Sequence, residues 1–268
     1  MKKGYSVLPV LSLLMTACSV ESVQAQQVLA VDFGGPYAEV SINSSKKITY
    51  ATGDANFNGQ ENDRISKVEL GSIFTPPRTG NWKTQKGKSN GTIYCGLSLA
   101  ALGNPSMDLT DMMVRAGGDG RIQLGGKAPG ATLRMAATLY WTPKDFLCGE
   151  DLVRLADAAG SMRAELKNNG APPSTRFLIQ AGGVWYVSAD RSFGASATLR
   201  SNGATASWHR FDPASNHLFL NEEDLGAAIP GSEIGALTAI GIYVQTAEYP
   251  GDTGSFFGLS SLQVQVAP

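Results

Sequence analysis

Short runs of alternating apolar and polar residues, cut at close intervals by glycine and asparagine, are what most limits how this chain can fold. Successive side chains of an extended backbone point to opposite faces, so a period of two marks a half-buried strand. In LRMAATLYW (133–141), Leu133, Met135, Ala137, Leu139 and Trp141 share one face. In FFGLSSLQVQVA (256–267), Leu262, Val264 and Val266 oppose Gln263 and Gln265. VLAVDF (28–33), YAEVSI (37–42), KKITYAT (46–52), RISKVELGSIF (64–74), GTIYCGLSLA (91–100), TASWHRF (205–211) and LTAIGIYVQTA (237–247) also read as strands. RFLIQ (176–180) and VWYVS (184–188) flank Ala181-Gly182-Gly183, which predicts a hairpin with a three-residue loop.

One segment has a helical stripe. In DLVRLADAAGSMRAEL (151–166), Leu152, Leu155, Ala156 and Ala159 fall at helical spacing, with Asp151 placed to cap and Gly160 to stop a short helix. GGDGRIQLGGKAPG (117–130) reads as a long loop. About ten strands with tight turns predict an all-β fold, an antiparallel β-sandwich of the jelly-roll kind with at most one or two short helices. A parallel β-helix would show a regular repeat, and none is visible. The 31 glycines and the low share of charged residues, 17%, suit such a turn-rich fold.

The N-terminus reads as an export signal. Lys2 and Lys3 precede an apolar stretch, Gly4 to Ala17, and Val23-Gln24-Ala25 suits cleavage after Ala25. A second reading takes Leu14-Met15-Thr16-Ala17-Cys18 as a lipobox, with Cys18 acylated and tethering the chain to a membrane. Either way residues 26–268 would form a single exported domain, periplasmic, secreted or on the outer surface of a bacterium. In such a compartment Cys95 and Cys148 are expected to pair, closing a loop that would contribute about 4 kcal/mol, with two buried free thiols as the alternative. A net charge of −1 without a basic stripe argues against a nucleic-acid partner.

GDANFNGQENDR (53–64) is the one metal-like motif. An EF-hand loop places ligands at its first, third, fifth, seventh, ninth and twelfth positions, with glycine at the sixth. Counting from Asp54, the chain offers Asp54, Asn56, Asn58, Gly59, Gln60 and Asn62 in the first five ligand places and the glycine place. Ile65 stands twelfth and cannot ligate, leaving Glu61, Asp63 or another loop to supply the missing carboxylate. The pattern therefore has two readings, a weak calcium site and a turn that satisfies its own backbone.

Catalytic signatures are sparse. His209 and His217 fit no zinc spacing. Glu61-Asn62-Asp63 begins the ExDxxE-like strand of laminarinase-type sandwiches, but Ser66 stands where the second glutamate belongs. Sugar sites instead pair aromatic platforms with planar polar groups. Trp208 with Arg210 on one strand face, and Trp185, Asp190, Arg191 and Tyr249 nearby, are the candidates for such a site.

ATLYWTPKDFL (137–147), RFLIQAGGVWYVSAD (176–190), SWHRFDPASN (207–216) and AIGIYVQTAEYPGDTGSFFGLSSLQV (239–264) together resemble the carbohydrate-binding-module-like jelly rolls of exported bacterial proteins. That resemblance implies a galactose-binding-like or concanavalin-like sandwich with a binding role. The expectation is a non-catalytic protein that binds a polysaccharide or another extracellular polymer. A polysaccharide lyase or hydrolase on the same fold, or a structural surface protein, are the alternatives.

Overall fold

The computed structural model describes residues 26–33, 48–74, 92–107, 109, 112–117, 121–145, 152–155, 161–168, 170, 173–194 and 196–266. The export segment with Cys18, the run 37–42 and Cys148 lie outside the described residues. The strands in chain order are β1 (Gln26–Asp32), β2 (Ile48–Gly53), β3 (Asp63–Phe74), β4 (Ile93–Ala101), β5 (Met112–Gly117), β6 (Arg121–Gly126), β7 (Thr132–Trp141) and β8 (Ser161–Lys167). They continue as β9 (Pro173–Ala181), β10 (Val184–Phe193), β11 (Ser196–Asn202), β12 (Ser207–Phe211), β13 (Ile229–Pro230), β14 (Leu237–Thr246), β15 (Tyr249–Pro250) and β16 (Ser255–Val266). Three short 3₁₀ turns are the only helical elements among the described residues.

The strands form an antiparallel β-sandwich, as the alternation predicted. One sheet runs β13-β12-β10-β9-β14-β7-β4-β3-β2, with β15 beside β7. The other runs β11-β8-β16-β6-β5, with β1 also on β16. Between them lies the main core. Leu133, Met135, Ala137, Leu139 and Trp141 of β7 are all fully buried there, with Leu262 and Val264 of β16 facing them from the smaller sheet.

Three local expectations are corrected. Of the short helix expected to stop at Gly160, residues 152–155 are not helical, and Asp151 and 156–160 lie outside the described residues. Ser161–Lys167, beyond that stop, is strand β8, with Met162, Ala164 and Leu166 buried while Ser161, Arg163 and Lys167 are exposed. The glycine-rich segment 117–130 contains strand β6 and the hairpin it makes with β5. Its glycines make room for a neighbouring strand: a Cβ on Gly125 would lie 2.1 Å from the Ser255 carbonyl oxygen of β16. The β9–β10 hairpin turns in two residues, because Ala181 itself pairs with Val184. Gly182 (φ 57°) and Gly183 (φ 79°) are both left-handed, the conformation that lets a two-residue loop match the strand twist.

A second apolar cluster lies on the outer face of the large sheet. Ile65, Ala100, Ala136, Leu178 and Tyr243 point away from the main core and are covered by the segment 212–225, which brings Leu218, Phe219 and Leu220 down onto them. This strap is tied at several points. The Gln245 side chain accepts from Leu220 N (2.7 Å) and donates to Leu220 O (2.9 Å), acting as a neighbouring strand would. The Tyr243 hydroxyl donates to Leu218 O at 2.9 Å. Arg176, almost fully buried, holds both carboxylate oxygens of Glu222 at 2.9 and 2.7 Å.

Candidate functional site

The strap and the polar loop 54–63 meet on this outer face and leave an open groove between them. Its larger part, about 480 Å³, is bounded by Val184, Arg210, Asp212, Phe57, Asn221 and Asp224, among others. A second depression of about 380 Å³ continues past Asp54, Glu61 and His217. Phe57, Asn216 and Asp224 line both parts.

The polar loop is built by its own side chains. The Asp54 carboxylate accepts from Asn58 N (2.9 Å) and Gly59 N (2.7 Å). Asn56 Oδ1 also accepts from Asn58 N, and Asn58 Oδ1 accepts from Gln60 N. Asn62 Nδ2 donates to Gln60 Oε1 at 3.5 Å. Asp63, fully buried, ties the loop to its surroundings by accepting from Asn56 N and Gly103 N. The oxygens proposed as ligands are thus turned largely toward backbone amides, the arrangement expected of a self-satisfied turn. Among the described residues no group of three or more His, Cys, Asp or Glu side chains could hold a metal ion.

The strap's crest has unusual backbone. Asn216 (φ 42°), His217 (φ 54°) and Leu218 (φ 75°) are consecutive left-handed residues, a costly conformation for all but asparagine. Contacts to the β2 end hold them there. Asn216 Nδ2 donates to Asp54 O at 2.6 Å and His217 Nε2 donates to Thr52 O at 3.2 Å. Because a carbonyl only accepts, His217 carries its proton on Nε2, and His209, whose Nδ1 meets Gly226 O at 2.8 Å, carries one on Nδ1.

The aromatic candidates divide. Trp208 is fully buried in the main core, contrary to the expectation of a solvent-facing platform. Arg210 lies on the same strand face and is exposed, so the face alone misleads. Trp208 is covered where β13 pairs with β12, Ile229 lying opposite it, and Ala206, Ile234 and Leu237 belong to the same core. Tyr249 is also buried, its hydroxyl donating to Gly126 O, and offers no platform. Burial pushes its phenol well above the ordinary tyrosine value.

Trp185 is half-buried on the outer face, packed edge-to-face on Tyr140 at 5.0 Å, and Tyr140 in turn stacks on Tyr94 at 5.3 Å. Burial, reinforced by Tyr94 and Cys95, pushes the Tyr140 phenol up to about 12. Asp190 and Arg191 are exposed, but Arg191 is engaged with Glu222 at 2.9 Å and lies over the Phe193 ring. The structure therefore brings Arg210 into the groove, places Trp185 beside Val184 at its edge, and leaves Trp208 and Tyr249 in the interior.

Phe57, Asn216 and Asp212 were not singled out from the sequence. The groove exists only because 212–225 doubles back over a sheet, and no local pattern announces that. Cys95 is buried on β4 and, with Cys148 outside the described residues, the expected bridge has only one end in view. No protein-family model matches this chain, and no curated protein matches it either.

Proposed function

We propose that the protein is an exported, non-catalytic β-sandwich that binds a polysaccharide or similar hydroxyl-rich extracellular polymer along the outer-face groove. One observation carries this reading: the groove is open and lined by planar polar groups (Arg210, Asp212, Asn221, Asp224) beside apolar rings and side chains. Polymer sites need that mixture, because sugars present both flat C–H faces and hydroxyls. Two of the groove's carboxylates support a binding role over an acid–base one. Asp54 accepts two backbone amides and Asp212 accepts Ala214 N at 2.9 Å, so both are engaged in shaping their loops.

The same reading includes export through residues 1–25, with Cys18 as an alternative lipid anchor, and a Cys95–Cys148 bridge. Mass measurement of the exported chain before and after reduction and alkylation tests the bridge. An array of immobilised polysaccharides tests the function. Retention of the parent and weaker retention of Arg210→Ala are expected; a parent that binds no polymer sinks the proposal. A polysaccharide-cleaving activity is the second reading, favoured by Asp54, Glu61 and Asp224 sharing the smaller depression with His217. Release of new sugar ends from a bound polymer would establish it instead.

A further inference from the structure

We infer that Phe57 is the aromatic platform of this groove and that its ligand is a neutral pyranose polymer, an inference that rests on the binding role proposed above. Phe57 is one of three residues lining both depressions, so it stands where a chain running the length of the groove must cross. Its backbone is left-handed, φ 58°, and a bulky residue there is an outlier costing on the order of 1–3 kcal/mol. The turn that holds it could take glycine or asparagine at that place, as it does at its neighbours Asn56, Asn58 and Gly59. A phenyl ring is the least suitable choice for the loop alone.

The ring is also supported from one side. The Arg134 guanidinium lies 4.9 Å from its centroid and is fixed by donating to the carbonyl oxygens of Ala55 and Thr246. Phe57 itself remains half-buried, leaving ring surface turned to the groove. A rigid ring backed by a fixed cation, with Asn216 and Asp224 beside it, matches what a pyranose requires: a flat apolar face for its C–H groups and planar acceptors and donors for its hydroxyls. The charge around the ring selects the class. Asp54, Glu61 and Asp224 line the smaller depression with Phe57, whereas Arg210 lines only the larger one and Arg134, the cation behind the ring, lines neither. A polyuronate or sulfated chain crossing at Phe57 would meet like charge, and a neutral chain would not.

The test compares the parent with Phe57→Gly, Phe57→Asn and Phe57→Tyr in affinity electrophoresis through gels holding a neutral glucan, a neutral mannan or a polyuronate, with thermal melting in parallel. The parent should be retarded by a neutral polymer. Phe57→Tyr should keep that retardation, and the glycine and asparagine variants should lose it roughly thirtyfold or more, as loss of a central aromatic anchor does. Both should melt within a few degrees of the parent, since relief of the left-handed strain offsets the lost ring packing. Retardation of the parent by no polymer overturns the binding role and this inference together. Retardation that survives in a folded Phe57→Gly overturns the platform and leaves the binding role standing. Retardation of the parent by the polyuronate alone overturns the neutral class. Glycine and asparagine variants that melt far below the parent show a ring kept for packing, and overturn the platform as well.

Discussion

Removing the Glu222 carboxylate should loosen the strap and reveal how much of the second apolar cluster depends on it. Glu222 sits on the strap's 3₁₀ turn and receives Arg176 through two hydrogen bonds. The Arg176 side chain is only 4% exposed, whereas that of Glu222 is 48% exposed. In Glu222→Ala the guanidinium would remain under the strap with the carbonyl oxygens of Ser188 and Ala189 as its other acceptors. Stranding one member of a fully buried pair costs about 3–5 kcal/mol. Water already reaches half of this pair and would re-solvate part of the loss, which lowers the expectation to about 1–3 kcal/mol. For a domain of this size that corresponds to a melting temperature lower by roughly 3–10 °C. Urea unfolding followed by tryptophan fluorescence measures it, with Arg191→Ala as control, because Arg191 reaches the same carboxylate from the surface and should cost less than about 1 kcal/mol. If both variants lose the same small amount, the buried guanidinium is not what fastens the strap.

Trp208→Ala should destabilise the fold by about 3–5 kcal/mol, because the indole fills the main core; a folded variant with parental melting would return Trp208 to the surface. Asp54→Ala leaves the amides of Asn58 and Gly59 without that acceptor and should cost about 1–2 kcal/mol equally in chelator and in millimolar calcium; a loss seen only with calcium would assign the loop to the ion. Burial opposes ionisation of Glu165, but hydrogen bonds from Thr198 and Arg163 outweigh it and hold its carboxyl below the ordinary value. The folded state thus favours the ionised form, a contribution present above about pH 4.3, the unfolded value, and lost as pH falls through the lower folded value. Glu165→Gln should therefore flatten part of the acid limb of a stability-against-pH curve, and an unchanged limb would refute this.

Strand identity was legible wherever a period of two was unbroken. Leu133 to Trp141 and Leu262 to Val264 face the core as their alternation requires. It failed where two signals overlapped. In the segment 151–166 the helical spacing of Leu152 and Leu155 adjoins the alternation of Ser161–Lys167; 152–155 are not helical, and pairing with β11 and β16 fixes the strand that follows. It failed again at 117–130, where glycines that admit a close neighbour look the same in sequence as glycines that make a loop. The polar loop was legible as a turn because Asp54, Asn56 and Asn58 act within a few residues of themselves. The groove was not, because Phe57 and Asp224 meet only through a strap whose anchors, Gln245, Tyr243 and Arg176, lie on distant strands. Burial of Trp208 depends in the same way on β13, two residues long and invisible to any periodicity.

The last strand also governs the order in which the smaller sheet can come together. β5 with β6 is a hairpin of chain neighbours and can form early, whereas β8 meets β11 only across the β9–β10 hairpin of the other sheet. β16 joins them, pairing with β8 along one edge and with β6 and then β1 along the other. Among the described residues β1 has no other strand partner, so the first strand waits for the sixteenth. Closing that longest loop comes at a high entropic cost before any contact repays it, which makes docking of β16 the expected slow step of refolding. A chain that stops short of Ser255 would keep two separate strand pairs and an unpaired first strand in this sheet, with open edges free to pair with another molecule.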